Sequence, residues 1–119
     1  VEYLLTPVGL RSLAETSQDY IGVYCGDVYK RDAAYHQGTV WSWLLGPMVK
    51  AWCRTHPDRF DQPRTWLQGL EAHMNEGCIG QISEIFSGDP PHEPKGCFAQ
   101  AWGVAELFEA FRLVNGSGK

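Results

Sequence analysis

The feature that most constrains this chain is an abrupt change of pattern at residue 40. From there Trp41, Leu44, Leu45, Met48, Val49, Trp52, Cys53 and His56 recur at i, i+3, i+4 and i+7, the spacing that lines one face of an α-helix. Thr39 or Ser42 is placed to cap this helix and Pro57 follows its end. Pro47 lies inside the pattern and lacks a backbone donor, so it predicts either a kink or the point where the helix begins in earnest. Residues 1 to 39 show no sustained helical or strand period and are punctuated by Thr6-Pro7-Val8-Gly9, Gln18-Asp19, Cys25-Gly26-Asp27 and Gly38. An aperiodic stretch of that length inside a domain is unusual, and is more often functional or supported from outside. It reads as a long surface segment with one short turn of helix.

A second helix is expected from about Pro63, through Trp66, Leu67, Leu70 and Met74, to a stop at Gly77. The short connection His56 to Gln62 implies antiparallel neighbours. Residues 77 to 97 begin as an apolar, partly alternating run and end in a loop where Pro90, Pro91 and Pro94 argue against regular helix or a central strand. A third helix runs from about Phe98 to Val114, with Trp102, Ala105, Leu107, Phe108, Phe111 and Val114 on a wide face. Asn115 to Lys119 reads as a frayed tail; its Asn115-Gly116-Ser117 fits the glycosylation acceptor pattern, a match common by chance. No internal repeat is evident. The expected fold class is all-α, about three clear helices with long loops.

Composition narrows the function classes. Ten Lys plus Arg against 14 Asp plus Glu give a net charge of -4, which supplies no basic surface for nucleic acid. Hydrophobic residues at 44% and five Trp provide a core and exclude whole-chain disorder. The longest apolar run, around Val40 to Val49, is broken by Ser42, Gly46 and Pro47 and falls far short of the ~20 residues of a membrane span, so the expectation is a soluble chain. Cys25, Cys53, Cys78 and Cys97 form neither a C-x-x-C nor a zinc-ligand spacing. Reduced thiols in a cytoplasmic protein are therefore expected, with no metal and no cofactor. No signal peptide is visible, and the start at Val1 rather than Met suggests a processed chain or a piece of something longer.

Three segments concentrate polar and aromatic side chains: Arg31 to Trp43, Gly80 to His92, and Gly96 to Trp102. They supply amides and imidazole for hydroxyl groups, indole faces for a flat apolar surface, and in Glu84 a carboxylate between Ser83 and Ile85 with Ile82 close by. A glutamate with apolar neighbours is a candidate for a raised pKa, because desolvation disfavours its charged form. Sugars require this mixture of stacking faces and hydrogen-bonding groups. The plainer alternative for Glu84 is a loop carboxylate facing solvent or backbone amides, and for Trp41 and Trp102 a place in the core. No phosphate loop and no G-x-S-x-G elbow is present, and nothing in the spacing of His73, His92, Cys78 and Cys97 favours a metal site.

The runs Asp32 to Pro47, Gly80 to His92 and Gly96 to Trp102, with Thr6 to Leu13 upstream, resemble the C-terminal end of the glycogen debranching enzymes, in their amylo-α-1,6-glucosidase region of the prokaryotic type. The four motifs stand in the same order and cover nearly the whole chain, from about Leu5 to Phe111. The resemblance implies the C-terminal portion of an (α/α)6 toroid, with residues 1–119 a segment incomplete on its own. It implies inverting hydrolysis of the α-1,6-linked glucose left at a trimmed glycogen branch point, a reaction that uses one carboxylic acid and one carboxylate base. By its position in the motif Glu84 matches the general base, while the acid lies upstream of everything present. Asp32, Tyr35, His36, Gln37 and Trp41 match the motif that lines the glucose subsite, and Gln100 and Trp102 begin the last helix near the same pocket. Ala33 stands where Gly is expected and Gly103 where Ser is usual.

The implied partners are glycogen or limit-dextrin oligosaccharide, and either the remainder of a parent enzyme or a second copy covering exposed apolar helix faces. Two rival readings stay open: another glucosidase of the toroid clan, glucoamylase-like or trehalase-like, and a non-catalytic glucan-binding or assembly module.

Overall fold

In the computed structural model, which describes residues 2–116, four helices share the chain with a sheet. The helices are α1 (Val28–Ala34), α2 (Leu45–Thr55), α3 (Asp61–His73) and α4 (Ala101–Gly116). The strands are β1 (Leu5–Thr6), β2 (Gly9–Arg11), β3 (Val40–Trp41), β4 (Ile85–Phe86) and β5 (Pro94–Lys95), in one antiparallel sheet of order β1-β2-β3-β4-β5. This overturns the all-α expectation, and with it the reading of the chain as a purely helical portion of an (α/α)6 toroid. The reason is physical. A strand of two or three residues is too short to display a period of 2, so nothing in the local pattern announces it. Its partners are also remote: Leu10 pairs with Trp41, and Val40 with Phe86.

The sheet also moves Trp41, expected as the first residue of the long helix, into β3. A single 3-10 turn, Ser42–Leu44, then leads into α2. Pro47 falls in the first turn of α2, where its missing N–H has no intrahelical partner to lose, so it marks the start of the helix rather than a kink. α3 ends at His73, before the Gly77 stop, and α4 begins at Ala101 and runs through Asn115 and Gly116, residues expected to fray. Ser117 to Lys119 of that tail lie outside the described residues. The expected short turn of helix in the N-terminal stretch is α1, capped by the Asp27 carboxylate, which accepts the Lys30 N–H at 3.0 Å. Pro94 sits in the edge strand β5, where a missing donor is tolerated.

The apolar stripes meet in one core. Leu45, Val49 and Cys53 of α2, Leu67 and Leu70 of α3, and Leu107, Ala110 and Val114 of α4 pack with Leu10, Val40, Ile82 and Phe86. α2 lies mainly against α4, and α3 touches both. The β1–β2 turn closes onto α3: a Cβ added at Gly69 would lie 1.9 Å from the Pro7 carbonyl oxygen, so the turn rests on bare helix backbone. The molecule measures 50 × 32 × 20 Å, a slab about two elements thick.

Candidate active site

Glu84 directly precedes β4 and is half-buried, between Ser83 and the fully buried Ile85. Beyond the β4–β5 pairing, its N–H donates to the Cys97 carbonyl at 2.8 Å, and the Cys97 N–H returns a bond to Glu84 Oε2 at 2.9 Å. Gly96 makes room for this: its φ of 69° favours glycine, and a Cβ there would lie 2.6 Å from Oε2. The other carboxylate oxygen, Oε1, accepts a hydrogen bond from the Tyr35 hydroxyl. Burial first, and then the bond to Glu84, hold that hydroxyl well above the ordinary tyrosine range, so it stays a proton donor. The carboxylate expected among apolar neighbours is thus aimed by two polar donors, and each oxygen keeps acceptor capacity for another proton donor.

Tyr35 is placed by the end of α1 and by the turn that follows. Its carbonyl accepts the Thr39 hydroxyl at 2.5 Å and the Trp41 indole N–H at 3.2 Å. Around it the rings interlock. His36 lies flat on Trp41 at 5.1 Å with 3° between planes, Tyr35 meets both edge-on at 4.8 and 4.9 Å, and Tyr24 approaches Tyr35 at 5.9 Å. Trp41 is buried and His36 exposed, so the imidazole is the outer face of this stack and the indole its support.

A second set of tethers fixes the loop after β4. Arg11 Nε donates to the Gly88 carbonyl at 3.0 Å, Asp89 N–H to the Gly22 carbonyl at 3.0 Å, and the Tyr20 hydroxyl to Asp89 Oδ1 at 2.9 Å. Burial, followed by Asp89, pushes the Tyr20 hydroxyl up to about 12. The aperiodic N-terminal stretch is therefore the frame that carries the Glu84 and Asp89 loops.

Glu84, Tyr35, His36 and Trp41 come together as one cluster. Gln100 reaches it through the main chain, its N–H donating to the Ile82 carbonyl at 3.0 Å, while its buried Oε1 has no hydrogen-bond partner among the described residues. Asp32 and Gln37 are exposed, held through backbone groups alone among the described residues. Trp102 is half-exposed and stacks on Trp43 at 4.0 Å, in a second aromatic pair. Sequence reasoning missed Tyr24, which lies in the aperiodic stretch with no local signal. Two concavities, of about 930 Å³ between Leu5 and Leu10 of the sheet and Leu44, Trp52 and Trp66, and of about 550 Å³ beside Lys50, Cys53 and Phe60, are lined by none of these residues. Among the described residues no three His, Cys, Asp or Glu side chains gather as a metal site, and no helix is long and apolar enough to cross a membrane.

The model of one protein family, described as amylo-alpha-1,6-glucosidase, matches residues 1–109. The chain belongs to the amylo-alpha-1,6-glucosidase family. It is a domain related to the glycogen debranching enzymes, and its family is of the glycosidase type. Within this family member the match takes in every residue of the Glu84 cluster, together with Gln100 and Trp102.

Proposed function

We propose that this chain supplies the general-base half of an inverting α-1,6-glucosidase site, with Glu84 as the base. The observation that carries the reading is the pair of donors on Glu84. The Tyr35 hydroxyl and the Cys97 amide take one acceptor position on each oxygen and leave the others for a water molecule. In inverting hydrolysis that water attacks the anomeric carbon as Glu84 takes its proton, while a carboxylic acid ~6.5–9.5 Å away protonates the departing oxygen. In this reading the acid comes from a residue outside these 119, and the chain is the C-terminal segment of a longer cytoplasmic catalytic domain. The exposed His36 ring, backed by Trp41, offers the glucose ring a face, and Tyr35, Gln37, Asp32 and Gln100 offer hydrogen-bonding groups around it. The Trp102–Trp43 pair offers a second platform for the glucan. Family membership favours glycogen limit dextrin as the substrate.

The test is Glu84→Gln in the full-length enzyme that contains this segment. General-base catalysis is worth about 10²–10⁴-fold, so glucose release from limit dextrin should fall by that factor while dextrin affinity is kept. Retained release contradicts the assignment and favours a glucan-binding module. The 119-residue chain assayed alone should release no glucose, and clear turnover would contradict the half-site reading.

A further inference from the structure

Behind Glu84 lies a polar cluster of buried His73, Ser83 and Ser42 that reaches solvent only through the exposed Glu76. His73, at the end of α3, is 3% exposed, Ser83 4% and Ser42 2%. The Ser83 N–H donates to His73 Nε2 at 3.3 Å, with Ser83 Oγ 3.1 Å from the same nitrogen. An amide N–H only donates, so Nε2 is the acceptor and the ring proton sits on Nδ1, which faces Glu76 Oε2 at 3.2 Å. On the other side the Ser42 hydroxyl donates to the Ser83 carbonyl at 3.0 Å.

The backbone of residues 82 to 84 is thereby gripped at four of its polar groups. The Ile82 carbonyl is held by Gln100 at the start of α4, the Ser83 N–H by α3, the Ser83 carbonyl by the turn before α2, and the Glu84 N–H by Cys97. We propose that His73 is a positioning residue for Glu84. Its unprotonated Nε2 anchors the Ser83 peptide and so fixes the direction in which the neighbouring carboxylate leaves the backbone. His73 touches neither sugar nor water in this role; it transmits the rigidity of the helical core to the base. The Phe86 ring, edge-on to the imidazole at 4.8 Å, seals the other side of the contact.

This inference rests on Glu84 being the base, and the experiment separates the two. In the full-length enzyme His73→Gln keeps an acceptor near the position of Nε2, whereas His73→Leu keeps the bulk and loses the acceptor. A misplaced catalytic group costs up to about a hundredfold. His73→Leu should therefore lower kcat by about tenfold to a hundredfold with KM little changed, and His73→Gln should recover most of that loss. Equal kcat in the two variants, or a loss that follows the melting temperature alone, would overturn the positioning role while Glu84→Gln remained inactive. Glucose release by Glu84→Gln would instead overturn the reading beneath it. A measurement on the unmodified 119-residue chain needs no activity: long-range proton–nitrogen NMR should show His73 protonated at Nδ1 and bare at Nε2. The opposite tautomer would leave the Ser83 amide without its acceptor and contradict the proposal.

Discussion

The helical slab and the ledge that carries Glu84 are held together by different forces. In the slab, Leu45, Val49, Leu67, Leu70, Leu107 and Val114 are almost fully enclosed by one another, and stability comes from apolar burial at about 1.5–3 kcal/mol per large side chain. In the sheet ledge the strands are two or three residues long; Leu10, Val40, Ile82 and Phe86 anchor it in the core, and its loops are then aimed by single hydrogen bonds between residues remote in sequence: Arg11 to Gly88, Tyr20 to Asp89, Tyr35 to Glu84, Ser42 to Ser83. The first region makes the fold durable, and the second decides where a carboxylate points. Removing a part of either should therefore show in a different observable.

The largest effect on stability belongs to the slab. Leu70→Ala removes a side chain that is 1% exposed and should cost about 2–5 kcal/mol in chemical denaturation; a loss below ~1 kcal/mol would mean that the three helices do not share one core. Gly69→Ala tests the seam between the regions. Alanine ordinarily improves a helix interior by about 1 kcal/mol, but here its Cβ would lie 1.9 Å from the Pro7 carbonyl oxygen. The sign should reverse, to a destabilisation of about 1–3 kcal/mol, and a stabilised variant would show that the β1–β2 turn does not rest on α3.

Tyr35→Phe removes the hydroxyl bonded to Glu84 and keeps the ring among Tyr24, His36 and Trp41. Melting should shift little, while kcat of the full-length enzyme falls about tenfold, the worth of one hydrogen bond to a charged group. A large melting shift at unchanged kcat would place Tyr35 with the scaffold. The smallest effect is alkaline. Tyr20 ionises at about 12 in the folded chain against an ordinary 10.0, so the unfolded chain gives up that proton first. The contribution of Tyr20 to stability is full below pH 10 and is lost as pH rises through about 12. Urea midpoints measured across that window should fall less steeply in Tyr20→Phe than in the unsubstituted chain.

The same division explains what could be read in advance. α2, α3 and α4 were legible because each repeats its apolar residues over several turns, and the 3.6-residue period needs only local sequence. The sheet was not, because pairings such as Leu10 with Trp41 exist only once the chain has folded back. Glu84, Tyr35, His36 and Trp41 could be nominated through the family resemblance of their motifs, but the bond between Tyr35 and Glu84 spans 49 positions and follows from no local rule. Tyr24 and His73 went unnoticed as neighbours of the site for the same reason. The slab is local information made visible by period, and the ledge is tertiary information carried by single polar contacts.

The most direct test of this division measures Glu84→Gln and Leu70→Ala side by side in the full-length enzyme, recording melting temperature and glucose release from limit dextrin on the same preparations. Glu84→Gln should lose release at an unchanged melting temperature, and Leu70→Ala should melt earlier yet keep its release per folded molecule. Glucose release that survives Glu84→Gln, or that falls only as far as the melting temperature falls, would contradict the account.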